Sequence, residues 1–331
     1  MSNTTPLVTV FGGSGFVGRY ICRRMANAGW RVRVAVRRPD EAGFVRTMGT
    51  VGQVEPIQAN IRDEASTARA IAGADAVINC VGILVESGKQ RFDTLQADGA
   101  ARVARLAAEH GVRRLVQISA IGANAESDSD YARSKAAGEA AVTSAFPGAV
   151  ILRPSIIFGT EDEFFNRFGA MARISPVIPL VGADTRFQPV YVDDVAAAAV
   201  KAATSEVDPG IYELGGPETA TFRELIERLL KTIERKRAII VLPPWFARFQ
   251  AGALDTLSKL TFGVWTNGLL TRDQVRQLGR DNVVAPDARG FADLGIEPTA
   301  MDAILEGYLY SYRPHGQFDA ITASADNLRQ R

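Results

Sequence analysis

Tyr131 and Lys135 stand four apart in "DYARSKAAGEA", a spacing that puts both side chains on one face of a helix. An ammonium beside a phenol lowers the phenol's pKa, which makes the pair a candidate proton donor to a carbonyl. The same lysine is able to bond a ribose. Such a pair needs a hydride source, and "TPLVTVFGGSGFVGRYICRRM" has the form of a cradle for one. Gly13-x-Gly15-x-x-Gly18 and Gly12-x-x-Gly15-x-x-Gly18 both follow an apolar strand and open a helical pattern, the context in which such loops hold a dinucleotide. Gly12 and Gly13 permit the tight turn. Gly15 lets the backbone, with Ser14, Phe16 and Val17 around it, approach a pyrophosphate, and Gly18 lets the helix lie close to the strand. A glycine-rich turn that holds nothing is the plain alternative.

The next strand ends in "AVRRP", so Arg37 and Arg38 occupy the place where an NAD-binding chain carries Asp or Glu. A carboxylate repels a 2′-phosphate and a guanidinium pairs with it bidentately, so the expected cofactor is NADP(H) in preference to NAD(H). Two solvated arginines at a strand end would look the same in sequence. Asn60 and Ile61, ending the third strand, are expected beside the adenine. Cys80, Val81 and Gly82, ending the fourth, are expected under the nicotinamide ribose. No cation stands near Cys80 in sequence, so it reads as a packed residue rather than a reactive thiol.

Alternating elements must position these residues. Strand signals at "LVTVFGG", "RVRVAVR", "VEPIQANI", "ADAVINCVGI", "RRLVQISAIG", "GAVILRPSIIFG" and "GIYELGG" are separated by helical stretches at 15–28, "STARAIAGA", 93–110, "YARSKAAGEAAVTSAF" and 194–204. That order predicts an α/β fold, a Rossmann-type doubly wound parallel sheet. Thr221 and Glu224 have capping-box spacing at the start of "TFRELIERLLKTIERK". The expected division is a nucleotide-binding domain at 1–158 with return segments 187–216, and a smaller interwoven lobe from 159–186 and 217–313. The tail 314–331 is polar and rich in small residues. Asp193-Asp194 read as a helix cap and Glu161-Asp162-Glu163 as surface.

Bulk composition narrows the function. The chain has 331 residues, with 38 Lys and Arg against 37 Asp and Glu, a net charge of +1, where a nucleic-acid binder would show a basic excess. Two cysteines make no disulfide framework and suit a reducing compartment. Two histidines and no Cys/His cluster argue against a metal site. No leader pattern and no apolar run near the ~20 residues of a membrane span is visible. The expected location is therefore cytoplasmic.

"GGSGFVG", "YARSK", "LRPSIIFG" and "PVYVDDVA" together resemble the short-chain dehydrogenase/reductase superfamily, of the extended, epimerase-like or atypical kind, over most of residues 6–216. The resemblance implies Tyr131 and Lys135 as catalytic candidates, with Ser119, Lys135, Pro154 and Ile157 added to the cofactor set. It also implies a serine or threonine partner near the end of the fifth strand, but that position falls at Ile121. The position that often carries Asn is Gln96, and only 11 residues separate Ser119 from Tyr131. The tetrad is incomplete.

"LRPSIIFGTEDEFFNRF", "FQPVYVDDVAAA", "YELGGPETATFREL" and "LTRDQVRQLGRDNVV" look like the Rossmann-type accessory subunit family of respiratory complex I, NADH:quinone oxidoreductase, over nearly the whole chain. The resemblance implies a tightly held NADPH without turnover, quinone-arm subunits as partners, and a peripheral place on the cytoplasmic face of the inner membrane. Relatives linked to quinone biosynthesis keep a second reading open, an NADPH-dependent reductase or epimerase-like enzyme using Tyr131 and Lys135. Residues 241–269 carry a stripe of Leu242, Trp245, Phe246, Phe249, Ala253, Leu257 and Leu260, with Phe262 and Trp265 beyond it. That stripe fits either the core of a small lobe or a membrane or partner face. "KTIERKR" beside it suits anionic lipid or a solvated helix face.

Overall fold

A computed structural model describes residues 5–88, 90–243, 273, 276, 278–314 and 316. The stripe positions 244–269 and most of the tail lie outside the described residues.

Seven short apolar strands form one sheet: β1 (Leu7–Phe11), β2 (Arg31–Val36), β3 (Val54–Gln58), β4 (Ala76–Asn79), β5 (Arg114–Ile118), β6 (Val150–Pro154) and β11 (Gly210–Leu214). Their spatial order is β11-β6-β5-β4-β1-β2-β3, every neighbour pairing parallel. The order reverses between β1 and β4, which is where such sheets open a crevice for ligands. Near-continuous apolar strands follow from burial on both faces. One face packs Val8, Val10, Val34, Val116 and Leu152 under α1 (Phe16–Asn27) and α6 (Val192–Thr204). The other packs Val77 and Leu115 under α2 (Glu64–Ile71), α3 (Asp98–Glu109) and α4 (Asp130–Ala145).

The third core belongs to the smaller lobe. It collects α5 (Phe165–Ile174), α7 (Phe222–Thr232) and α8 (Asp302–Leu309) around Phe165, Ile178, Leu225, Leu229 and Leu305. Three strand pairs frame it. β7 (Ile157–Phe158) pairs with β10 (Val190–Tyr191), β9 (Arg186–Phe187) with β12 (Ala220–Thr221), and β8 (Val177–Leu180) with β13 (Ala238–Val241). The Thr221–Glu224 capping box is formed at the start of α7.

Three local expectations need correction. The helix read over 93–110 begins with a π-helical turn at Asp93–Ala97. There the Gln96 side chain donates to the Ile83 carbonyl at 2.6 Å, and a Cβ at Gly138 of α4 would collide with the Gln96 carbonyl oxygen. Asp193 and Asp194 lie inside the first turn of α6 and cap nothing. Asp193 takes a bidentate bond from Arg24 at 2.8 Å, and Asp194 accepts from the Thr299 backbone at 2.7 Å. Asp162 is buried, not at the surface. It accepts from the Tyr308 hydroxyl at 2.5 Å and from the Gly159 and Asn166 amides, tying the loop after β7 to α8.

Candidate functional site

The glycine loop connects β1 to α1 at the carboxyl end of the sheet. Gly12 has φ +72°, a conformation that favours glycine. A Cβ at Gly13 would lie 2.8 Å from Cys22 Sγ and 2.9 Å from Val34 Cγ1, and one at Gly18 would strike the Gly12 carbonyl. The helix thus sits as close to the strand as only glycine permits. Gly15 is the N-cap of α1 and no side chain caps it, so first-turn N–H groups are left to a ligand at the positive end of the helix dipole.

Arg37 and Arg38 leave β2 at its carboxyl end and are exposed. Arg38 forms a surface pair with Glu41 at 2.8 Å, whereas Arg37 has no ion-pair partner among the described residues. Asn60 closes its own turn, its side chain accepting from the Arg62 amide at 3.1 Å. Ile61 is buried with its side chain against Gly99 of α3, so its side chain serves the core. The Val81 amide donates to the Asn79 side-chain oxygen at 3.1 Å. The Cys80 thiol is pushed up to about 12 by burial, which leaves it an unreactive packed group.

Ser119, Lys135 and Gly82 converge beyond the ends of β4 and β5. Ser119 is 5 % exposed, and its hydroxyl is the one buried side-chain polar atom without a hydrogen-bond partner among the described residues. Buried hydroxyls are normally satisfied, so an orphan here marks a place for a polar ligand. Lys135 is buried, and its Nζ would lie 3.3 Å from a Cβ at Gly82. Burial lowers the Lys135 ammonium to about 8 against the opposing pull of Glu139 and Cys80. The uncapped loop, the bare Ser119 hydroxyl and the buried Lys135 ammonium fit the pyrophosphate and ribose of a nicotinamide dinucleotide. Pro154 ends β6 and accepts from the Ile121 amide at 3.0 Å, and Ile157 opens β7 at the same rim.

Tyr131 departs from its expected chemistry. Its hydroxyl is pushed up to about 12, first by burial and then by the Asp273 carboxylate, so the lysine does not produce the lowered pKa anticipated for a proton donor. Lys135 Nζ lies 5.7 Å from the centre of the Tyr131 ring, and Phe92 packs edge-on against that ring at 5.8 Å. Ile121, at the position for a hydroxyl partner, is buried and apolar.

Sequence reading missed two groups at this site. Arg19 reaches back from α1 to the Ser14 and Gly15 carbonyls, at 3.2 and 3.3 Å, and pairs with Glu161 at 3.2 Å. Tyr20 also donates to Glu161, at 2.9 Å, so the loop after β7 is clasped to the glycine loop. The second group is Asp273 of "LTRDQV", which accepts from the Ser129 hydroxyl and the Asp130 amide, both at 2.9 Å, at the N-terminus of α4. Arg276 and Arg280 hold Asp128 beside it, and Asn282 bonds Ser155 and Ile121. The motif was visible in sequence, but its seat on the approach to Tyr131 was not.

Among the described residues no group of His, Cys, Asp and Glu is placed to hold a metal, and no helix is long and apolar enough to cross a membrane. The sequence profile of the NAD dependent epimerase/dehydratase family matches residues 8–215. Subunit 9 of the NADH dehydrogenase [ubiquinone] 1 alpha subcomplex from Arabidopsis thaliana mitochondria is 36% identical over 94% of this chain and 79% of its own length. A ceramide reductase from Caulobacter vibrioides is 33% identical over 77% of this chain and 79% of its own length. The fold is similar to an NADPH-dependent quinone oxidoreductase from Escherichia coli complexed with NADPH. That similarity has a TM-score of 0.69 and 18% identity, and covers 91% of this chain and 98% of that one.

Proposed function

The chain belongs to the NAD dependent epimerase/dehydratase family, and we propose that within it the protein is a cofactor-holding accessory subunit of an NADH:quinone oxidoreductase. NADP(H) is retained in it rather than turned over. The observation that carries this reading is the state of the Tyr131 corner, with Ile121 where a hydroxyl is needed and the phenol pushed up to about 12. The complex I relative supports it further, because its similarity extends over the part of the chain that contains the Asp273–Asn282 strap.

In this reading the bound dinucleotide would supply a hydride-bearing nicotinamide ring. Gly13, Ser14, Phe16 and Val17 offer backbone donors to the pyrophosphate, while the Gly12 and Gly15 amides, bonded to the Ala35 and Gly12 carbonyls, shape the turn that lets it approach. Arg37 and Arg38 pair with the 2′-phosphate, and Ser119 and Lys135 take ribose hydroxyls. Asn60, Ile61, Cys80, Val81, Gly82, Pro154 and Ile157 line the strand ends. The Arg19–Glu161–Tyr20 clasp lies across the loop and slows exit. The protein works at the cytoplasmic face of the inner membrane, beside the quinone-arm subunits.

The test is affinity purification of the tagged chain from its own cells. Complex I quinone-arm subunits should accompany it, with NADPH released only on denaturation and not oxidised by added quinones or ketones. Arg37→Ala with Arg38→Ala should weaken NADPH binding by at least about tenfold more than NADH binding, since charged hydrogen bonds to phosphate are lost. Equal loss would overturn the 2′-phosphate assignment.

The ceramide reductase relative favours a second reading, a working reductase acting on a lipid or quinone-pathway ketone through Tyr131 and Lys135. Turnover that disappears in Tyr131→Phe while NADPH stays bound would establish that reading against the first.

A further inference from the structure

The end of α7 and the start of β13 enclose an open concavity of about 680 Å³ on the smaller lobe, away from the nucleotide crevice. Its cationic lining is Arg223, Lys231, Arg235, Lys236 and Arg237, against two carboxylates, Glu227 and Glu234. Glu234 already pairs with Arg313 at 3.5 Å, whereas none of the five cations has a carboxylate partner among the described residues. Two of them are held in place by the fold. Arg235 Nε donates to the Tyr312 carbonyl at 2.7 Å and Arg237 Nε to the Ala172 carbonyl at 2.8 Å. Those bonds fix each guanidinium plane; Arg237 Nη1 also donates to the Lys236 carbonyl at 2.9 Å, which leaves its Nη2 and both terminal nitrogens of Arg235 to meet phosphate oxygens.

The turn itself is unusual. Glu234 takes φ +53°, the left-handed form that glycine normally supplies, and Arg235 N donates to the Leu230 carbonyl at 3.0 Å. The chain therefore reverses abruptly and presents residues 235–237 beside the last turn of α7. Apolar groups border the same place. Val241 of β13, on the same strand face as the lining residue Ile239, is 46% exposed, and Ile174, two residues beyond the carbonyl that Arg237 grips, is 88% exposed.

We propose that this concavity is a docking site for an anionic phospholipid surface, with headgroup phosphates taken by Arg235, Lys236, Arg237 and Lys231. Ile174 and Val241 enter the interfacial layer. Guanidinium groups held by the fold and two exposed lysines suit phosphates that arrive in varied positions, and exposed aliphatic side chains near them suit acyl chains. An acidic protein face would satisfy the cations and leave those aliphatics in water. The proposal rests on the reading of the chain as a protein that works beside a membrane. It adds a surface at 223–241 to the stripe expected over residues 241–269.

The experiment is flotation of the full chain with phosphatidylcholine vesicles, with and without about one-third phosphatidylglycerol, and each surface cation should add about fivefold to partitioning. Binding to the anionic vesicles alone, weakened by salt, is expected. Lys231→Gln with Lys236→Gln, two exposed positions that no fold contact uses, should lower it about twentyfold with an unchanged melting temperature. Arg235→Gln and Arg237→Gln extend the series. Equal binding to neutral vesicles, or binding undiminished in the lysine variant, overturns the proposal. So does binding of inorganic phosphate without vesicles, or association only with purified complex I. Failure here with complex I subunits still co-purifying removes this site and leaves the accessory-subunit reading standing.

Discussion

Lys135 carries a charge in a place that penalises it, and its proton reports on what the site holds. Its folded pKa is lowered by burial to about 8 from 10.5. Between those values the unfolded chain binds the extra proton, so stability of the ligand-free protein should rise with pH across about 8 to 10.5. Ribose hydroxyls and phosphates prefer the ammonium, so cofactor binding raises the pKa. NADPH affinity should therefore be full below about pH 8 and fall by close to tenfold per pH unit above it. Titration of Kd against pH checks this, and Lys135→Met should flatten the alkaline limb. A flat wild-type profile would remove Lys135 from the ribose contact. The residue types at this site were legible because glycines and strand-end arginines are fixed by local backbone and charge rules. The raised Tyr131 pKa was not, since it follows first from burial in the folded site and then from the carboxylate of Asp273, far along the chain.

At the scale of elements, α4 is bolted to the sheet by charge as well as by packing. Glu139, 5 % exposed, takes three bonds from Arg153 of β6 at 2.6–3.2 Å. Arg153 also reaches Glu213 of β11 at 3.5 Å, and Glu213 accepts from the Ala285 amide at 2.9 Å. Glu139→Ala leaves the partly buried Arg153 with only its longer contact to Glu213 and should cost about 2–3 kcal/mol, read by urea denaturation. Replacing both partners, Glu139→Leu with Arg153→Met, should recover most of that loss. The central strands were readable as near-continuous apolar runs because they are covered on both faces, and β2 by its alternation of Arg and apolar residues. The π-helical turn at 93–97 and the buried Asp162 were not. Each depends on a partner across space, Gly138 for the first and Tyr308 for the second, and hydrophobic periodicity carries no trace of either.

At the scale of the whole molecule, sheet and lobe are threaded through one another. α6 covers β4, β5 and β6, and β11 closes the edge beside β6, yet both come after the first stretch of the lobe. A fragment ending at residue 158 lacks both elements. It should aggregate on expression, and a fragment that runs through Leu214 should be the shorter one to stay in solution, as gel filtration would show. The same arrangement sets a clock during synthesis. Arg24 of α1 and its partner Asp193 of α6 are 169 residues apart. At the usual pace of a ribosome, α1 waits roughly ten to thirty seconds for the helix that packs against it. Through that interval the nascent chain carries a bare apolar sheet face and an unpaired β6 edge. Slower translation between codons 24 and 214, or loss of chaperones that shield nascent chains, should therefore lower the yield of folded protein, an effect that pulse-labelling would measure.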